Sequence, residues 1–194
     1  MPSTSTTELA RRGLDGRQAD RVDALVDATV VELRLRGYDG LTVRNAARRA
    51  GVAAATAYSY FGSKDHLVAE VFWRRLDALP APTVDGRRTA LGRVSATLRE
   101  LAQAIAAEPE LAAASTTAVL ANDPDVHRLR NRIGALLSSR ISAALGDDAD
   151  PAVVRALNLA FAGALLQVGM GYFGYTELAD RMDEVAAVLL AGPR

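Results

Sequence analysis

Among the polar side chains of residues 41–67, hydroxyl groups and cations prevail, and Asp65 is the one acid. Four hydroxyl residues fall within five positions, and a lysine follows shortly after: Thr56, Tyr58, Ser59, Tyr60 and Lys64. Hydroxyls, backbone amides and ammonium groups are common partners of nucleic-acid phosphates. A slim helix with almost no charge also fits the major groove of DNA. These residue types indicate contact with DNA.

The spacing of the same residues predicts two short helices, 43–50 and 54–60, joined by a tight turn. Thr42 is placed to cap the first helix with its hydroxyl. Gly51 stands where the turn requires a positive φ, which glycine adopts without steric cost. Val52 fills the angle between the helices. Together with an apolar helical face over residues 20–36, this pattern predicts a three-helix head.

These residues resemble the DNA-binding region of the TetR family of bacterial transcription regulators. The matching pattern is Thr42-x-Arg44-x-x-Ala47-x-x-Ala50-Gly51-Val52, then Thr56-x-Tyr58-x-Tyr60-Phe61-x-Ser63-Lys64-x-x-Leu67. The match covers roughly residues 20–70, about a quarter of the chain. It implies a homodimer that binds double-stranded DNA and that a small ligand releases.

The resemblance also implies which residues meet DNA. The expected set is Thr42, Arg44, Ala53, Ala54, Thr56, Tyr58, Ser59, Tyr60 and Lys64. Arg44 matches a base-reading position, with a solvated surface arginine as the alternative. The alanines that open the second helix cannot form side-chain hydrogen bonds to bases. We therefore expect methyl contacts to thymine and DNA shape to contribute more to sequence recognition. Arg11, Arg12 and Arg17 form either a minor-groove arm or a polar tail.

Composition narrows the function classes further. The formal net charge is zero, with 23 basic and 23 acidic residues. Residues 9–64 hold ten basic and six acidic residues, so the head is the basic part. Cysteine is absent, His66 and His127 lie far apart in the sequence, and no nucleophile–base set or phosphate loop occurs. We expect no metal, no cofactor and no enzymatic activity.

The apolar periodicity of the rest of the chain predicts a series of consecutive helices. The predicted fold is all-α with about nine helices: a flexible arm over residues 1–19, a helix-turn-helix domain over 20–62, and an effector-binding and dimerisation body over 63–194. Because the N-terminus is polar, we expect it not to be a signal peptide. The apolar stretch 156–170 is interrupted by Asn158 and Gln167, so we expect no membrane span and a cytoplasmic protein.

One face of the predicted helix 151–173 carries mostly small residues. They are Ala152, Ala156, Ala160, Gly163, Gln167 and Met170. Small faces let helices approach closely, and a helix that is apolar all round must be covered on both sides. The opposite face, which runs from Val154 to Tyr172, is bulky. We therefore predict a partner subunit against the small face and the body's own core against the bulky face, with dimerisation through helices 151–173 and 176–190.

The body is also expected to hold a small apolar or amphipathic effector. The predicted pocket residues are Phe72, Trp73, Leu101, Ile105, Thr116, Asn158, Phe161 and Leu165. Asn158 is either a polar anchor for the ligand or a satisfied internal amide. The sequence thus predicts a repressor released from a palindromic operator, with an activator or a ligand-independent DNA-binding protein as the alternative, and an enzyme that uses the body's cavity as the weakest one.

Overall fold

A computed structural model describes residues 16–82, 86–147 and 149–191, and over these ranges the chain forms nine α-helices and no strand. They are α1 (Gly16–Gly40), α2 (Val43–Arg49), α3 (Ala54–Tyr60), α4 (Lys64–Asp77), α5 (Ala90–Ala106), α6 (Pro109–Ala118), α7 (Pro124–Leu145), α8 (Pro151–Gly169) and α9 (Leu178–Leu190). The predicted all-α class is confirmed. Arg11 and Arg12 of the expected N-terminal arm lie outside the described residues, and Arg17 lies in the first turn of α1.

Local hydrogen bonds explain why α2 begins where the sequence predicted it. Thr42 Oγ1 accepts from the Asn45 amide at 3.1 Å, and Asn45 Oδ1 accepts from the Thr42 amide at 2.8 Å. This reciprocal capping box satisfies amides that the first helical turn leaves free. Gly51 has φ 67°, as the turn between α2 and α3 was expected to require. A second positive φ, 65° at Gly37, interrupts α1 before its last residues.

The head packs α2 and α3 against the first half of α1. Ala46, Ala47 and Ala57 are fully buried here, because the helices cross too closely for larger side chains. Other members of this cluster are Val22, Leu25, Val43, Phe61 and Leu67. The small core therefore depends on alanine volume at its helix crossings.

A buried ion network fixes α2 on α1. Glu32 is 1% exposed and accepts from Arg36 Nε at 2.8 Å and from Arg49 Nε at 2.6 Å. Burial by itself would raise the pKa of Glu32, but the hydrogen bonds and charges of Arg49 and Arg36 outweigh burial and lower it. Removing one partner would leave a charge uncompensated in the protein interior.

The second half of α1 packs on the body. Val26, Val30 and Leu33 share one cluster with residues of α4 and α6. The α4 and α6 members are Val68, Val71, Leu111, Ala114 and Ala118. The head and the body are therefore joined through a common apolar core that crosses the expected domain boundary at residues 62–63.

The largest core lies between α5, α7, α8 and α9. Leu98 and Leu101 from α5 meet Ile141 from α7, Leu157 from α8 and Leu178 from α9, and all five are fully buried. Pro151 opens α8 just after the Asp150 cap, as predicted. This core sets the positions of α7 and α8, between which the cavity described below opens.

Helix α8 ends earlier than the sequence predicted. It stops at Gly169, Met170 is its C-cap, and Gly171 turns the chain with φ 81°. Tyr172, expected on a buried face, is 76% exposed because it lies beyond the helix. By length and composition, α8 is apolar enough to cross a membrane, a test that core helices of soluble proteins also pass.

Candidate DNA interface and effector cavity

The expected DNA-contact residues lie on neighbouring parts of α2, α3 and the start of α4. Arg44, Tyr58 and Ser59 are exposed. The Thr42 hydroxyl oxygen accepts the hydrogen bond that caps α2, and its hydrogen remains available to donate. Ser59 Oγ donates to the Thr56 carbonyl at 2.7 Å, so its hydrogen is engaged within α3 while its lone pairs remain free. The rest of the expected set is Ala53, which is exposed, with Ala54, Thr56 and Tyr60, which are half-buried.

Lys64 is held at the first residue of α4. Its Nζ donates to the Tyr38 carbonyl at 3.0 Å and lies 4.0 Å from the centroid of the Tyr38 ring. The Tyr38 hydroxyl in turn donates to Asp65, and burial together with that carboxylate raises the pKa of Tyr38. An ammonium group has three donors, so this arrangement orients Lys64 and leaves two of its hydrogens available.

Positive charge in the head divides into paired and unpaired groups. Arg36 and Arg49 both pair with Glu32, which offsets one of their two positive charges. Arg44 and Arg48, one turn apart on α2 and both exposed, make no ion pair with any described residue. Arg48 was not singled out from the sequence, because only the positions of acids in space separate it from Arg49. Unpaired arginines on an exposed helix suit binding to a phosphate backbone.

An apolar cavity of about 710 Å³ opens between α4, α5, α6, α7 and α8. Its lining includes Phe72, Ile105, Leu137 and Leu165. Such a volume lies within the usual range for small-molecule sites, roughly 300–1,000 Å³. Carboxylates are absent from its lining, and its charged residues are Arg130 and Arg155.

Few polar groups face the cavity, and most are engaged within the protein. Asn158 Nδ2 donates to Ser138 Oγ at 2.8 Å and to the Val154 carbonyl at 3.1 Å. Ser115 and Thr116 donate to carbonyls one turn earlier in α6, at 2.6 and 3.1 Å. Asn158 Oδ1 is buried and has no hydrogen-bond partner among the described residues.

Five of the eight predicted wall residues line the cavity: Phe72, Ile105, Thr116, Asn158 and Leu165. The other three were wrong as wall residues. Leu101 and Phe161 are fully buried in the main core. Trp73 packs with Val126 and Leu129, and the Arg132 guanidinium lies 3.8 Å from its ring centroid. The periodicity of a buried helix cannot distinguish a packed face from a cavity face.

A hydrogen bond between two helix caps joins the start of α7 to the start of α4, which directly follows the head. Ser63 caps α4 by accepting from the His66 amide at 3.0 Å, and Asp123 caps α7 by accepting from the Asp125 amide at 2.8 Å. Ser63 Oγ donates to the second carboxylate oxygen of Asp123 at 2.7 Å. Any shift of the α7 start therefore reaches the first turn of α4.

The cavity borders this junction. Arg130 lines the cavity and donates to the carbonyls of Val119 at 2.7 Å and Ala121 at 3.1 Å. Leu120, 65% exposed, also lines it. The segment between α6 and α7 therefore lines the cavity at Leu120 and contacts the start of α4 at Asp123. Among the residues that the structure describes, no three His, Cys, Asp or Glu side chains come together as a metal site.

The sequence matches a known family model and several transcriptional regulators. The model for bacterial regulatory proteins of the tetR family matches residues 25–71. An uncharacterised HTH-type transcriptional regulator of Mycobacterium tuberculosis is 46% identical over 178 residues, which are 91% of this chain and 83% of the relative. The chain belongs to the TetR family. It is a helix-turn-helix transcriptional regulator, and its relatives are regulators rather than enzymes.

More distant relatives of this TetR-family regulator include a named repressor. The HTH-type transcriptional repressor KstR of Rhodococcus jostii is 27% identical over 197 residues, which cover 96% of this chain and 92% of KstR. A TetR transcriptional regulator from Rhodococcus sp. RHA1 superposes with a TM-score of 0.75 at 18% identity, covering 93% of this chain and all of that structure. FadR of Bacillus subtilis, solved with stearoyl-CoA, gives a TM-score of 0.57 at 17% identity over 88% of this chain and 98% of FadR. These structures share the fold.

The outward face of α8 in this TetR-family regulator differs from the predicted small-residue face. Leu159 is 75% exposed, Met170 61% and Leu166 37%, and the two leucines also border the cavity. Of the expected interface set, Ala152, Gln167 and Met170 are exposed, Ala156 and Gly163 are half-buried, and Ala160 packs against the subunit's own core. The exposed stripe is thus rotated from the predicted face and includes the two leucines, which a search for small residues overlooks.

Proposed function

We propose that this TetR-family regulator is a repressor that a small apolar effector releases from a palindromic operator. The observation that carries the proposal is the apolar cavity of about 710 Å³, whose border is linked through Asp123 to the start of α4, directly after the head. Similarity to the repressor KstR over nearly the whole chain supports repression. The fold relative FadR, solved with stearoyl-CoA, supports an effector with a large apolar part.

The proposed DNA contacts divide by chemistry. Thr42, Tyr58 and Lys64 hold phosphates, and Lys64 is already oriented by Tyr38. Arg44, exposed and without an acid partner, reads a base edge or a narrow minor groove. The remaining proposed contacts come from α3 and its N-cap: Ala53, Ala54, Thr56, Ser59 and Tyr60. Arg48 joins the phosphate contacts on the strength of its unpaired charge.

The proposed active form is a homodimer. The exposed apolar stripe of α8, centred on Leu159 and Leu166, meets its copy in a second subunit, and α9 flanks it. Only 22% of the most apolar stretch of α8 is buried within one subunit, which supports a partner there. Two-fold symmetry of the protein then imposes an inverted repeat on the operator.

The proposed release step uses the link between the cavity and the head. An effector that displaces Leu120 or Arg130 moves the segment between α6 and α7 and, with it, Asp123. Because Asp123 holds Ser63, the start of α4 shifts and changes the separation of the two heads. The effector has to bind the released arrangement more tightly than the DNA-bound one by a few kcal/mol. A nearly complete switch, from 1:99 to 99:1, requires about 5.5 kcal/mol.

Selection of bound duplexes from a random library tests the DNA-binding part. We expect an inverted repeat, and its absence would contradict the dimer-on-operator proposal. A thermal-shift screen of apolar metabolites, repeated with operator present, tests the release part. An inducer must bind more weakly when operator is present, by the same factor by which it weakens operator binding. A regulator that binds its operator equally well with every stabilising compound would be ligand-independent.

A further inference from the structure

The amide of Asn158 has one fixed orientation in the cavity wall. The Val154 carbonyl can only accept a hydrogen bond, so the group 3.1 Å from it must be the Asn158 nitrogen. Both Asn158 donors are then engaged, one with Val154 and one with Ser138. Asn158 Oδ1 remains buried with no partner among the described residues. A buried acceptor without a donor is unfavourable, and native proteins rarely leave one.

Neighbouring hydroxyls of α6 do not supply the missing donor. Ser115 and Thr116 both donate to carbonyls of their own helix, so their hydrogens are engaged. What they still present to the cavity is lone pairs. The interior polar groups that the structure describes there are thus weighted toward acceptors, and a ligand fits them by bringing a donor of its own.

Charge on the lining limits what that donor can be. Arg130 and Arg155 are its charged residues, and neither forms an ion pair with a described residue. A cationic ligand would enter an apolar space with two like charges at its border and no carboxylate to neutralise it. Removing a charge from water without a counter-ion is costly. A neutral donor, or a donor on an anionic molecule, avoids this penalty.

We infer that the cavity binds an elongated apolar molecule that carries a hydroxyl group and no positive charge, with the hydroxyl donating to Asn158 Oδ1. The inference rests on the proposed effector function, which it refines by naming the class of ligand. The hydroxyl lies beside Ser138 and Asn158, and the apolar part extends toward Phe72 and Ile105. An acidic group elsewhere on the molecule is compatible with the arginines at the border.

Three probes of matched size test the inference in calorimetric titrations of the full chain. Decan-1-ol and its isomer 1-methoxynonane differ in one hydrogen-bond donor, and decylammonium brings donors with a positive charge. We expect decan-1-ol to bind about tenfold more tightly than the ether, since one hydrogen bond to a buried acceptor is worth about that factor. Decylammonium should bind more weakly than the alcohol.

Two variants test whether the preference for the alcohol over the ether depends on Asn158. Asn158→Leu removes the acceptor and should bring the alcohol and the ether to similar affinities, whereas Asn131→Leu, at an exposed position of α7, should keep the difference. If Asn158→Leu does not fold, the relative affinities of the alcohol and the ether for the unaltered protein still test the inference. Equal affinities of alcohol and ether, tighter binding of decylammonium, or no binding of any probe would overturn the inference. Operator binding is measured separately, so these outcomes are distinct from failure of the repressor function.

Discussion

Arg44 and Arg49 show how position decides the role of an arginine on α2. Arg49 is committed to Glu32 in the interior, whereas Arg44 is exposed and unpaired among the described residues. The same residue type thus serves the fold at one position and is available to DNA at the other. A sequence alone does not distinguish them, because Glu32 lies 17 residues from Arg49 along the chain.

Replacing Arg44 with alanine should weaken operator binding by about 1–3 kcal/mol per lost bidentate base contact. The base preference at one pair of each half-site should relax, because a phosphate contact alone would not read sequence. Fluorescence anisotropy against the operator and its single-base variants measures both effects. Arg34→Ala, which removes an arginine paired with Glu108 at 3.6 Å, is the control and should leave affinity unchanged. Unchanged affinity of the Arg44 variant would exclude the base contact.

His66 gives the fold a dependence on pH. Its ring packs edge-on against Phe61, with centroids 5.3 Å apart, and burial lowers the pKa of His66. The charged groups around it are Glu70, Asp123, Asp125 and Arg128. Unfolded His66 titrates near its ordinary value of about 6.5, and the folded protein binds that proton less readily. Stability therefore falls as the pH drops through 6.5 toward the folded pKa, and the loss is complete below it.

We expect the His66→Gln variant to lose less unfolding free energy than the unaltered protein between pH 7.5 and pH 5.5. Urea unfolding at both pH values measures the difference. His127→Gln, at an exposed position near the start of α7, is the matched control and should keep the full pH dependence. An equal loss in the His66 variant and the unaltered protein would mean that other groups carry the effect.

At the scale of helices, the starts were more predictable than the faces. Thr42 and the Asp–Pro pairs at 123–124 and 150–151 mark helix starts by local chemistry, and the caps form there. Whether a residue lines a cavity depends on which neighbouring side chain is absent. Leu165 therefore lines the cavity, whereas Phe161, on the same helix, packs in the main core. The end of α8 was also missed, because its apolar pattern continues past the turn at Gly171.

The two Asp–Pro caps allow the head–body link to be tested separately from helix capping. Asp123 and Asp150 each cap a long helix, but only Asp123 also accepts from Ser63. Alanine at either position should cost about 0.5–2 kcal/mol of stability through the lost cap. Asp123→Ala alone should increase hydrogen exchange in the first turn of α4, which mass spectrometry of the peptides covering residues 63–67 measures. Equal exchange in both variants would show that Asp123 acts only as a cap.

At the scale of the whole molecule, three of the exposed large apolar side chains, Leu159, Leu166 and Met170, lie along α8 and its C-cap. Leu159→Glu places a charge in the middle of the α8 stripe and should convert a dimer into monomers, because a dimer interface does not tolerate an unpaired charge at its centre. Sedimentation velocity at micromolar concentration measures the state. Leu35→Glu is the matched control, since Leu35 is 64% exposed on α1 and should not affect association. An unaltered protein that sediments as a monomer would contradict the dimer itself.

The shared core beneath α1 limits how this regulator can be re-engineered. Val26, Val30 and Leu33 of the head are covered by residues of α4 and α6. A head excised at residue 62 would expose that apolar surface and is expected to aggregate. A chimera that fuses this head to another regulator's body would need a host α6 with small and aliphatic residues at the positions of Leu111, Ala114 and Ala118. Operator specificity is therefore transferred more safely by grafting the exposed side chains of α2 and α3 than by exchanging the head as a module.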